Sequence, residues 1–175
     1  RSLERELAVA TADYYIKQEE YSEAIKFIDI ALDKIFWKKQ KARLQYIKAQ
    51  LYEEANQSSL AKEAYEEVMK MNPEYEMAFN ARIKTLDIFS GEGDTEETKK
   101  ELQKMLRDHK NTEFRDQIFF ALGNIHFREG NREEAIENYR KSVASSFQNQ
   151  FQRARSAITL ADTYFEDLNY REAQM

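Results

Sequence analysis

The residues able to carry chemistry are few and scattered. The chain has two histidines, His109 and His126, and no cysteine. Zinc and related metals need three or four imidazole, thiolate or carboxylate donors converging from short spacings such as HExxH, and neither histidine lies in one. Without thiols there are no disulfides, thiolate metal sites or cysteine nucleophiles. No GxSxG or Walker-type phosphate loop occurs, and Gly91-Glu92-Gly93-Asp94 has no strand before it, so it reads as a turn between helices. The adjacent acids Glu53-Glu54 and Glu133-Glu134 point in different directions from a helix, as solvated faces do. No catalytic residue, metal site or cofactor is expected.

What the sequence offers instead is recognition chemistry. Val9, Tyr46, Ile83, Phe120 and Ile158 recur at near-constant spacing and are all apolar or aromatic. Four residues on from each stand Asp13, Gln50, Asp87, Asn124 and Asp162, acids and amides only. Another turn along come Ile16, Glu53, Ser90, Phe127 and Phe165. An apolar stripe beside a hydrogen-bonding stripe fits an amphipathic helix or an extended peptide. The partner-binding candidates are therefore Tyr46, Gln50, Ile83, Asp87, Phe120, Asn124, Phe127, Ile158, Asp162 and Phe165. The competing reading makes the polar row plain solvated surface and lets the apolar row pack between helices. Arg43, Arg128 and Arg155 offer single anion contacts.

The elements that position these rows follow from a second periodicity. Ala24, Ala61, Thr98, Ala135 and Ala173 are spaced 37, 37, 37 and 38 residues apart. Four residues beyond the first four stand Ile28, Tyr65, Leu102 and Tyr139, and seven to eight beyond them further small or apolar residues, which is one helical stripe written four times. Twelve before the anchors come Ala12, Ala49, Leu86, Gly123 and Ala161, mostly small, where two helices approach closely; nine before them come Tyr15, Tyr52, Phe89, His126 and Tyr164, nearly all rings. Each unit is a helical hairpin. The repeats are expected at about 3–37, 38–72, 73–110 and 111–149, with a partial fifth at 150–175, in a single domain over 1–175. Turns are expected at Gln18–Tyr21, Asn56–Ser59, Ser90–Asp94, Gly130–Asn131 and Asp167–Tyr170. Asn131 and Glu134 have capping-box spacing. Ile35-Phe36-Trp37 is expected to pack against the next hairpin, and His126 to be a packed histidine in a ring position.

The pattern of Asp116 to Ser146, with Leu122-Gly123, a ring position, a Gly-Asn turn and Ala135-x-x-x-Tyr139-x-x-Ser142, resembles the tetratricopeptide repeat. The resemblance implies an all-α fold, a solenoid of antiparallel helix pairs wound as a right-handed superhelix. Composition agrees: four glycines, one proline and 34% charged residues favour helices with wet outer faces. Net charge is −5 with acids and bases interspersed, so no basic stripe invites nucleic acid. No apolar run approaches the roughly 18 residues of a membrane span. The chain opens inside an amphipathic helix and closes where another starts, and is expected to be a piece of a longer protein.

Three phrases, KARLQYIKAQLYEEANQ, MNPEYEMAFNARI and KMLRDHKNTEFRDQIFFALGNI, resemble a narrower family. It is the large tetratricopeptide lipoprotein of the Bacteroidetes type IX secretion and gliding machinery, the PorW and SprE kind. That resemblance implies a non-enzymatic scaffold in the periplasm, associated with the outer membrane, linking the translocon to motor-associated proteins, with any lipid anchor outside this stretch. Its partners would be other secretion-system proteins. The runner-up function is a peptide-binding or chaperone-like receptor for a short client segment; a third is the accessory arm of an enzyme. The carboxylate grip of co-chaperone tetratricopeptide domains is not expected, because Asp13, Gln50 and Asp87 occupy the row that would need cations.

Overall fold

The hairpin turns set the architecture. Glu19, Asn56 and Gly130, spaced by multiples of the 37-residue period, all adopt left-handed backbone, with φ of +59°, +57° and +80°. The next amide reaches back to close each helix: Glu20 N–H to the Tyr15 carbonyl at 3.0 Å, Gln57 to Tyr52 at 2.8 Å, Asn131 to His126 at 2.9 Å. Glycine adopts this conformation freely and asparagine tolerates it, whereas at Glu19 it costs about 1 kcal/mol.

The computed structural model describes residues 2–92 and 95–166. Among these the helices are α1 (Ser2–Lys17), α2 (Tyr21–Lys34), α3 (Lys38–Glu54), α4 (Ser58–Lys70), α5 (Tyr75–Glu92), α6 (Thr95–Arg107), α7 (Arg115–Arg128), α8 (Arg132–Ser145) and α9 (Gln150–Glu166). A 3₁₀ turn, His109–Phe114, links α6 to α7 and takes up length beyond the minimal repeat of about 34 residues. The Asp108 carboxylate accepts the Lys110 N–H at 3.0 Å at its start.

Two local expectations are corrected. The loop expected to open at Ser90 begins later, because α5 continues through Gly91 to Glu92; one glycine costs a helix only about 1 kcal/mol and does not end it. Gly93 and Asp94, like the turn at Asp167–Tyr170 and the anchor Ala173, lie outside the described residues. The capping box at Asn131 is not formed. Its backbone, at φ −80° and ψ 74°, is not the extended conformation of a capping residue, and its Nδ2 donates instead to the Glu129 carboxylate at 3.1 Å.

The chain divides into two compact units, Arg1–Ile88 and Phe89–Met175. In the first, α1 packs on α2, α2 on α3 and α3 on α4. The anchors Ala24 and Ala61 and the close-approach residues Ala12 and Ala49 are all buried, with Ile28 and Leu32 completing one core and Tyr65 and Val68 the next. In the second, α7 packs on α8, α8 on α9 and α6 on α7. Thr98, Leu102, Ile118, Ile125, Ala135 and Tyr139 are buried there. Burying one large apolar side chain of this kind contributes about 1.5–3 kcal/mol. Gly123 is required by contact: a Cβ at that position would lie 2.5 Å from the Tyr139 ring.

Candidate partner-binding surface

In the first unit Tyr46 and Gln50 stand on α3, Ile83 and Asp87 on α5. The Tyr46 ring meets Tyr65 of α4 edge-on, with centroids 5.3 Å apart. Burial, helped by the negative charge of Glu53, pushes the Tyr46 phenol up to about 12. The Tyr65 hydroxyl donates to one Glu53 carboxylate oxygen at 2.5 Å, and Lys84 of α5 donates to the other at 3.0 Å. Burial and this carboxylate also raise the Tyr65 phenol. Glu53 therefore ties α3, α4 and α5 together, with Tyr46 half-buried against the same cluster. Ile83 and Asp87 are half-buried, and Gln50 is exposed.

In the second unit the expected apolar row closes over. Phe120 is 7% exposed, because the Tyr139 ring lies 5.6 Å from it and the Arg155 guanidinium caps it at 4.5 Å. Phe120 is thus a core residue of the α7–α8 hairpin and offers no open groove face. Asn124 spends its amide oxygen on the Tyr139 hydroxyl at 3.0 Å. Phe127 is half-buried under the Arg132 guanidinium, 4.0 Å from its ring. On α9, Ile158 is 63% and Phe165 61% exposed, and Asp162 is exposed beside them. These are the α9 counterparts of Phe120, Phe127 and Asn124. The α7 residues are covered by α8, while no helix among the described residues covers the α9 face. Row positions covered by the second helix of their hairpin, such as Phe120, are buried, whereas Ile158 and Phe165, with no described helix over them, are exposed.

Larger exposed apolar surface lies at the corners between hairpins. Of Ile35-Phe36-Trp37 only Ile35 is buried; Phe36 is 79% and Trp37 73% exposed, against the packing expected for all three. The chain here is extended, with φ −96° and ψ 124° at Ile35, so consecutive side chains alternate in direction and cannot all turn inward. Phe147, three periods after Phe36, occupies the matching corner between α8 and α9 at 83% exposure, and Phe151 is 80% exposed. Sequence reasoning passed over Phe147 and Phe151. For Phe147 the signal is the period itself, applied to the corners as well as to the helices.

Also missed was a buried polar cluster between α7, α8 and α9. Asp116 accepts the Ser146 hydroxyl at 2.9 Å and the Gln117 N–H at 2.8 Å, and the Asp116 carbonyl accepts from Ser142 at 2.7 Å. Ser142 and Ser156 share a hydroxyl contact of 2.7 Å, and Gln152 donates to Ser156 at 3.0 Å. Burial holds the Asp116 carboxyl above its ordinary range against the lowering effect of its hydrogen bonds. With Asp116 1% exposed, the cluster is closed to substrate and serves packing. His126 is half-buried, its Nδ1 3.8 Å from Glu129, beyond hydrogen-bond reach. Among the described residues no His, Asp and Glu side chains converge as a metal site would require, and no helix is long and apolar enough to cross a membrane.

The tetratricopeptide repeat profile matches residues 42–75 and 116–149, which are the α3–α4 and α7–α8 hairpins. Over 102 residues the chain is 32% identical to the intraflagellar transport protein 88 homolog of Homo sapiens. That stretch is 57% of this chain and 12% of the human protein, so the chain spans a small part of that relative. Among solved structures, MamA (residues 41 to the end) from Desulfovibrio magneticus RS-1 superposes with a TM-score of 0.60 at 13% identity, covering 98% of this chain and 89% of that one. A MamA RS-1 double mutant gives 0.59 at 13% identity, with the same coverage. These likenesses establish the fold: an all-helical array of tetratricopeptide-like antiparallel pairs.

Proposed function

We propose that the protein is a non-enzymatic scaffold for protein–protein contacts. The observation that carries this is the pair of equivalent corners at which Phe36 and Phe147 stand 79% and 83% exposed. Each corner has both of its flanking helices in place and packed, α2 on α3 and α8 on α9, so the rings are not left bare by a missing element of their own unit. Large rings held in water at the packed corners of each unit are what a protein partner buries. Among the exposed members of the candidate rows, Gln50 on α3 and Asp162 on α9 supply hydrogen-bonding groups.

The finer reading places this scaffold in the periplasm, in a type IX secretion and gliding apparatus. Its support is the likeness of the three phrases around Lys41–Gln57, Met71–Ile83 and Lys104–Ile125. A capture experiment from a Bacteroidetes envelope extract tests both levels. The chain is expected to retain secretion-system components, and a Phe36→Ser/Phe147→Ser variant to lose them at unchanged helicity and melting temperature. An identical set retained by that variant rejects the corner surface; a reproducible set containing no secretion component rejects the finer placement alone.

A further inference from the structure

The same corner geometry builds a cleft whose charge runs against that of the chain. Between the start of α3, the end of α4 and the start of α5 lies a cavity of about 390 Å³. Lys38, Lys39, Arg43 and Lys70 line it, and Glu74 is the one carboxylate among its lining residues. All four of these residues are exposed. Glu74 is already committed: Lys39 reaches it at 2.5 Å, and that hydrogen bond, with the charges of Lys39 and Arg43, holds its carboxyl below the usual range. The remaining cations meet no second acid in the cleft. Met71, Pro73 and Met77, each half-buried, form an apolar floor. Lys38 directly follows the exposed Phe36-Trp37 pair.

The α8–α9 corner of the second unit holds a smaller cavity that also brings cations beside apolar residues. This cavity of about 230 Å³ is lined by Arg140 and Arg153, by Val143 and Leu160, and by the exposed Phe147, with no acid among its lining residues. In a chain of net charge −5, both cavities therefore combine cations with apolar residues; the exposed Phe147 lines the second, and the exposed Trp37 precedes Lys38 of the first in sequence. The larger cleft lies within the range of small-ligand pockets and has room for more than one side chain.

We propose that the α3–α4–α5 corner cleft binds an acidic peptide segment that carries an apolar side chain. Its carboxylates face Lys38, Arg43 and Lys70, its apolar side chain rests on Met71 and Met77, and its flank lies against Trp37. The proposal names the charge of the partner and so rests on the protein-contact reading; its site is separate from the helix rows. Each ion pair is exposed and screened, so recognition comes from several charges acting together and weakens with salt.

Trp37 is the single tryptophan, so its fluorescence reports on this corner directly. The chain is titrated with a short peptide alternating Glu and Leu, with the Lys–Leu counterpart, and with inorganic phosphate. The Glu–Leu peptide is expected to shift the Trp37 emission, to bind more tightly as ionic strength falls, and to bind about tenfold more weakly to an Arg43→Glu/Lys70→Glu variant. Circular dichroism verifies that this variant is folded, and Lys38→Gln provides a milder second change with a smaller loss in the same direction. Equal binding of the Lys–Leu peptide, unchanged affinity in the charge-reversed variant, or full displacement of the peptide by equimolar phosphate would overturn the proposal. If Phe36→Ser abolishes partner capture while charge reversal leaves it intact, the scaffold reading stands and the acidic-segment proposal falls.

Discussion

Asp116 shows how a single residue can shape the pH response of a repeat. Its carboxylate is buried with hydroxyl and amide donors and no cation in its hydrogen-bond set, and burial raises its folded pKa above the ordinary value of 3.8. A raised folded pKa means that the native state holds its proton more tightly than the unfolded chain. The associated stability is complete below the unfolded pKa and is lost as pH rises through the folded one. At neutral pH the buried charge is therefore a cost. Asp116→Asn keeps the size and an acceptor for the Gln117 N–H while removing that charge. Its melting temperature relative to wild type is expected to be highest at neutral pH and to fall steadily as pH is lowered towards 4, as read by thermal melts across that range. A pH-independent difference would show that the carboxyl titrates in the folded state as it does in the unfolded chain, with no raised pKa.

At the scale of the element, the close approach of α7 and α8 depends on Gly123. In the first unit the equivalent positions are Ala12 and Ala49, both buried, but here the Tyr139 ring occupies the space a methyl group would need. The ring has nowhere to retreat: it is 1% exposed and its hydroxyl is held by Asn124. Overpacking costs about 1–3 kcal/mol, and alanine returns up to about 1 kcal/mol of helix propensity over glycine. Gly123→Ala is expected to lower stability by about 1–2 kcal/mol in denaturant titration, whereas a gain would mean that the hairpin can open without loss. The hairpins were legible in the sequence because small residues, anchors and rings recur with helical period; the anchors Ala24, Ala61, Thr98 and Ala135 are buried, and the rings Tyr15, Tyr52 and His126 half-buried. The corners were not legible from that pattern. In a segment outside the helices such as Ile35-Phe36-Trp37 the helical period does not apply, and hydrophobicity there does not foretell burial: Phe36 and Trp37 are both exposed.

For the whole molecule, the candidate rows were readable as positions, but their exposure depends on what lies over them. Phe120 and Ile158 occupy equivalent places on α7 and α9, and one is 7% exposed and the other 63% because α8 covers only the first. Pattern matching along a helix cannot report on the neighbour that covers it. The exposed corners and the basic clefts near them are the surface chemistry by which the proposed contact scaffold would hold its partner. The most direct test places a photo-crosslinking side chain at Phe36, at Phe147 and, as a control, at exposed Lys26 in the protein expressed in its own cell. Adducts with other proteins at Phe36 and Phe147, absent at Lys26, are the predicted result. No adducts at either corner, or equal labelling at Lys26, would contradict the account.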